Sequence, residues 1–194
     1  MVYSRVFQQL HERVVQRLHQ LDPALHYHNL AHTLDVVAQV ARISRCEELP
    51  LEEYALLQIA ALFHDTGFLY TYNGHEEESC RILAEEAQSM DLSHDDLEKI
   101  FRLIRVTHVD VIPSTLSERI LCDADLDYLG RDDFPAISQQ LKAEYVEQGI
   151  VKEEDWDTLQ LNFLRSHRYY TPSSQRLREP VKQQHIRALM ELSL

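Results

Sequence analysis

From Tyr54 to Phe63 the chain is apolar almost all round a helix, and the next two residues are His64 and Asp65. A helix without a polar face belongs in the middle of a bundle, whereas an imidazole and a carboxylate are costly to bury unless something binds them. The stretch ALFHDTGF, residues 61–68, thus asks for a central helix and for a partner at its end. That helix is predicted from Pro50, an apt first-turn residue, to Asp65. Gly67 is expected to end it in a left-handed conformation. His64 and Asp65 then lie in the last turn, where the helix carbonyls favour a cation.

Hydrophobic periodicity predicts helices elsewhere. Val2, Val6, Leu10, Val14, Leu18 and Leu21 share one face, stopped by Asp22-Pro23. Asn29 is a good N-cap for a helix to about Ser44. Further helices are predicted over 76–90, 95–107 (Ser93 and Asp96 resemble a capping box), 116–129, 134–148, 153–166 and 173–192, the last with a bend near Pro180. Four glycines and six prolines supply little turn chemistry for a many-stranded fold. The expectation is an all-α, single-domain helical bundle over 1–194 with about eight or nine helices, the motif core at 27–130 and the helices of 131–194 packed on it.

Nineteen Lys+Arg against thirty-two Asp+Glu give a formal net charge of -13, which repels a nucleic acid polymer. A small phosphorylated ligand bridged by metal ions is compatible with that charge. No stretch approaches the roughly 18 apolar residues of a membrane span, and MVYSRVFQQLHERVVQ carries charges where a signal peptide is apolar, so no membrane partner and a cytoplasmic location are expected. Cys46, Cys80 and Cys122 fit neither a disulfide framework nor a CxxC zinc site and are expected to be reduced, mostly buried thiols.

Eleven histidines occur, and helix phase or a helix end turns His32, His64, His75 and His108 inward. One such histidine is more often a satisfied core residue than a ligand; four with acids alongside shift the balance toward ligands. Adjacent helical residues point about 100° apart, so His64 and Asp65 can share only a cluster just beyond the helix end. There His64 would bind one ion while Asp65 bridges two, about 3.5 to 4 Å apart. The segment ILCDADLDYLG, residues 120–130, offers Asp123, Asp125 and Asp127, at least one of which is expected on a solvated acidic face.

His32, His64-Asp65, His75, His108 and Asp125, within YHNLAHTLDVV, AALFHDTGF and CDADLDYLG, resemble the H…HD…H…H…D signature of the HD superfamily of metal-dependent phosphohydrolases. The resemblance covers residues 27 to about 130. It implies an all-helical core in which His32, His64, Asp65 and Asp125 bind a first divalent ion and His75 and His108 a second, with Asp65 bridging. Asp123 competes with Asp125 as last ligand, although the AD pair favours Asp125. His75 follows His64 by eleven residues, as in the branch that hydrolyses dinucleoside polyphosphates. A GYP motif of the cyclic-di-nucleotide branch is absent, which disfavours that substrate.

The implied activity is hydrolysis of a phosphoester or phosphoanhydride of a nucleotide or small phosphorylated metabolite by a metal-bridging hydroxide, with Asp65 central. Histidine with carboxylate suits iron or manganese first, and nickel, cobalt, zinc or magnesium next. The expected partners are a small phosphorylated substrate, a nucleotide foremost, and at most a second copy in a homodimer. His28, one turn before His32, is a candidate general acid or a surface residue. Arg105, three residues before His108, is a candidate phosphate ligand or a surface arginine. FLRSHRYYTP, residues 163–172, is either a lid that stacks tyrosine on a base and brings Arg168 to phosphate, or the packing of a C-terminal helix. A di-iron oxygenase with the same ligands and a catalytically silent metal- or nucleotide-binding regulatory domain are the alternatives.

Overall fold

Leu57, Ile59, Ala60, Ala61, Leu62 and Phe63 of one helix have no exposed surface, which puts that helix on the axis of the structure. The computed structural model describes residues 2–192; the side chains of Val2 and Leu192 lie outside the description, so Val2 on the predicted first apolar face is not placed. Among the described residues there are nine α-helices and no strand: α1 Val2–Leu18, α2 Leu30–Cys46, α3 Leu51–Phe63, α4 His75–Ala87, α5 His94–Arg105, α6 Leu116–Asp125, α7 Phe134–Glu147, α8 Trp156–Ser166 and α9 Pro172–Leu192. No helix among them is long and apolar enough to cross a membrane.

The central helix is α3. Around it pack α1, through Val6, Leu10, Val14 and Leu18, and then α2, α5 and α6. Asn29 caps α2 through its side chain, and the Ser93–Asp96 capping box starts α5, as their side-chain chemistry predicts. A second apolar cluster joins α7, α8 and α9 through Phe134, Leu164 and Ile186 to Tyr27 and Tyr128. Buried Asp127 fastens the two parts: Arg42 of α2 reaches its Oδ1 at 2.6 Å and Arg178 of α9 at 2.9 Å. The α9 helix runs on through Pro180.

Several expectations are corrected. The third helix ends at Phe63, and the sixth at Asp125, each followed by a short 3-10 turn, Thr66–Leu69 and Asp127–Gly130. Gly67 lies in the first of these turns without a positive φ, which among the glycines belongs to Gly74 and Gly149. Space, not handedness, selects Gly67: a Cβ there would lie 1.9 Å from the carbonyl oxygen of His75. The Gly67 amide donates to Ser79 Oγ, whose hydroxyl donates to the His64 carbonyl, both at 2.8 Å, so α4 is locked against the end of α3. Cys80 is buried and Cys122 half-buried, but Cys46, the last residue of α2, is exposed.

Gly67→Ala is therefore expected to push α4 off the end of α3, at a cost of about 1–3 kcal/mol or more. Urea unfolding measures the loss; unchanged stability would show that α4 yields to the added methyl group without cost.

Candidate metal centre

Three helix ends deliver the cluster. Asn29 Oδ1 accepts from the His32 amide at 3.3 Å and sets the first turn of α2. His64 follows the last residue of α3 and Asp125 ends α6. One ligand atom each from His32, His64 and Asp125 lies within 4.8 Å of the others. The Nε2 atoms of His32 and His64 face each other at 3.4 Å. Asp65 Oδ2 stands 3.3 Å from His32 Nε2 and 3.1 Å from His64 Nε2, and Asp125 Oδ1 stands 3.1 and 3.5 Å from the same two atoms.

The tautomer of His64 is fixed from behind. Its Nδ1 lies 2.8 Å from the Ala61 carbonyl, which can only accept, so Nδ1 carries a proton, and whenever the ring is neutral its Nε2 lone pair points into the cluster. Asp65 Oδ2 is buried and accepts no hydrogen bond. Lone pairs and an orphaned carboxylate oxygen on one centre fit a divalent cation.

Asp65 presents its two oxygens to different rings. While Oδ2 faces His32 and His64, Oδ1 lies 3.5 Å from Nε2 of His75, the first residue of α4. His75 Nδ1 donates to the Tyr72 carbonyl at 3.2 Å, so its Nε2 is also free to accept or ligate. Phe68 is sandwiched between His75 and His28, with ring centroids 4.0 and 4.4 Å away. His108 is not brought in. It is exposed on the loop after α5, takes the Asp110 amide on Nδ1 at 3.3 Å, and stands on the wall of the adjoining cavity.

The three aspartates of 120–130 all turn inward, and none forms a solvated acidic face. Asp123 and Asp127 have no exposed surface. Asp123 accepts from the Tyr170 amide, the Thr171 amide and the Thr171 hydroxyl at 2.6 to 2.8 Å, so it ties down a turn and lies away from the rings. The segment 163–172 is consequently a fastened wall, with Tyr169 buried, and not a free lid. Arg168 stands on that wall. Arg105 does not line this cavity: it pairs with Glu77 on the surface at 2.5 and 2.8 Å.

A cavity of about 620 Å³ opens from Asp125 and His28 and runs between α7 and α8, lined by Phe134, Leu141, Trp156 and Leu164. His28 is fixed by Glu144, a residue that sequence reading did not single out. Glu144 has no exposed surface, contacts His28 Nδ1, and accepts from the Tyr27 and His28 amides at 2.8 and 3.0 Å and from the Tyr72 hydroxyl at 2.8 Å. Burial opposes its charge, but His28 and those amides hold its pKa below the usual carboxylate range. Its signal lay in helix phase, since Phe134, Ile137, Leu141 and Glu144 fall on one face of α7.

Electrostatics in the cluster is a contest between burial and pairing. Burial alone pushes the His32 pKa down, but Asp125 and Asp65 beside it raise it to about 9. His64 is raised likewise against its burial. Burial pushes Asp65 and Asp125 up, and the facing imidazoles bring both well below the ordinary value.

A family model of the HD domain matches residues 29–127, just over half of the chain. No curated protein and no solved structure gives a significant match.

Without metal, the proton on His32 stabilises the fold fully below the unfolded pKa of about 6.5, and this contribution fades as pH rises through about 9. A divalent ion must displace such protons, so Mn²⁺ affinity is expected to rise with pH up to about 9, by roughly tenfold per unit for each proton displaced. Calorimetric titration in buffers of different ionisation enthalpy counts the protons. Affinity independent of pH would mean that the rings are already neutral.

Proposed function

We propose, from the premise that this chain belongs to the HD-domain family, that it is a metal-dependent phosphohydrolase acting on a phosphoester or phosphoanhydride of a nucleotide or small phosphorylated metabolite. The observation that carries this reading is the orientation of Asp65, whose Oδ2 serves His32 and His64 while Oδ1 serves His75. A carboxylate so placed can bridge two ions. His32, His64, Asp65 and Asp125 would hold the first, and Asp65 with His75 the second, with His108 on the near wall as the one remaining histidine of the series. Iron or manganese suits these ligands best. When bound, such ions acidify water and neutralise charge on phosphoryl oxygens.

The chain's own groups supply the rest. Glu144 occupies Nδ1 of His28, which leaves Nε2 as the nitrogen available to the cavity. In its doubly protonated form His28 would give the Nε2 proton to the leaving oxygen, and Glu144 would keep its ring oriented. Phe68 holds His28 and His75 in parallel, so the proton donor and the second group of ligands keep a fixed spacing. Trp156, Leu164 and their neighbours exclude water from the leaving group's side.

Protein purified without added metal is expected to contain iron or manganese and to release phosphate from some member of a broad phosphoester and nucleotide panel. Asp65→Ala should abolish both metal uptake and turnover; metal content equal to wild type would contradict the bridging role. His28→Asn should keep its metal and lose about 10²- to 10⁴-fold in kcat, the usual worth of a general acid. A kcat within twofold of wild type would exclude His28 from the chemistry.

A further inference from the structure

The cavity wall carries polar groups besides those of the cluster. His167 and Arg168 follow α8 on its wall. Behind them Lys182 of α9 is buried, with its ammonium 2.9 Å from Glu179 Oε2. That ammonium donates to the His167 carbonyl at 2.7 Å and lies 3.3 Å from His167 Nδ1. An ammonium has donors only, so the nitrogen facing it must present a lone pair, and the single proton of the neutral ring sits on Nε2. Nε2 has no hydrogen-bond partner among the described residues; the ring's other neighbours are Tyr169, edge-on at 4.6 Å, and Phe163. Burial first, and Lys182 second, push the ring pKa down to about 3 against a weaker opposing pull from Glu179.

We propose that His167, fixed by Lys182 as an Nε2–H donor, determines substrate specificity by hydrogen-bonding an acceptor on the flat, apolar part of the substrate that lies away from the phosphate. This rests on reading the cavity as the phosphohydrolase site. Phe134, Leu141, Trp156 and Leu164 make much of the wall apolar and aromatic beside the polar Ser138 and Gln160, which suits a ring. Among the lining residues Arg168 is the sole arginine or lysine, so a long polyphosphate finds few cations. The substrate class is thus a phosphate ester whose leaving group carries a planar ring with a carbonyl or ring-nitrogen acceptor, as a nucleoside does.

The tautomer is read directly by ¹H–¹⁵N correlation spectra of histidine-labelled full-length protein, without ligand or metal. His167 is expected to stay in the Nε2–H form to pH 5, and in Lys182→Met to titrate nearer the ordinary histidine value. An Nδ1–H ring, or protonation near neutrality in wild type, would overturn the proposal. For recognition, the Mn²⁺-loaded protein is titrated with uridine 5′-monophosphate and with phenyl phosphate, which lacks a ring acceptor. His167→Phe should weaken the first about fivefold to tenfold, the worth of one neutral hydrogen bond, and leave the second within about twofold. Equal losses, no loss, or a wild type that binds neither probe would overturn it. Protein that takes up no metal yet keeps the tautomer and binds uridine 5′-monophosphate would instead overturn the hydrolase reading alone.

Discussion

Two carboxylates, Asp65 buried and Asp125 half-buried, set against imidazole nitrogens at the end of α3 are the constraint that organises this molecule. Asp65 is almost wholly removed from the solvent that would stabilise its charge and the Asp125 side chain is 20% exposed, so each gains from a positive partner close by. The chain supplies partners from separate places: His32 at the start of α2, His64 at the end of α3 and His75 at the start of α4. Bringing these ends together fixes the mutual placement of the helices. The apolar body of α3 then becomes intelligible, because a helix whose tip must meet three others has to lie among them.

The cluster has two ways to balance its charge. With both carboxylates ionised and the rings neutral it carries two negative charges, which one divalent ion cancels. With protons on the rings it is balanced without metal. The raised imidazole pKa values and the lowered carboxylate values describe this second state, in which protons occupy the role of a cation. The backbone contact on His64 Nδ1 biases the exchange. That nitrogen donates to Ala61 in either state, so only Nε2 changes partner when a proton gives way to a metal.

Much of this could be read from the sequence, because the decisive signals were local. The all-round apolarity of 54–63, the Asn29 cap, the Ser93 capping box and the His64-Asp65 pair each follow from a few adjacent residues. What escaped depended on contacts across the chain. Glu144 meets His28 from 116 residues away, and in a helix rich in glutamine and glutamate it resembles any surface acid. Asp123 looked like a rival ligand, whereas its oxygens serve the backbone of Tyr170 and Thr171. Arg105 is one turn from the loop that carries His108, yet the helix points it outward to Glu77. Gly67 was legible as a glycine that mattered, but the reason, the His75 carbonyl against its α-carbon, belongs to the packing of α4.

The net charge of -13 makes the placement of cations informative. A phosphorylated molecule approaching this surface is repelled on average, and the cavity itself offers one guanidinium, Arg168, against Asp125 at its inner end. The carboxylates that would repel a phosphate are the same ones that would bind metal. Attraction and repulsion would therefore switch at a single place: an ion held by His32, His64 and Asp125 would reverse the local field, and its loss would restore it. Under the proposed function, such a site would tie substrate affinity to metal occupancy, while the apolar walls and the proposed His167 donor would act on the rest of the ligand.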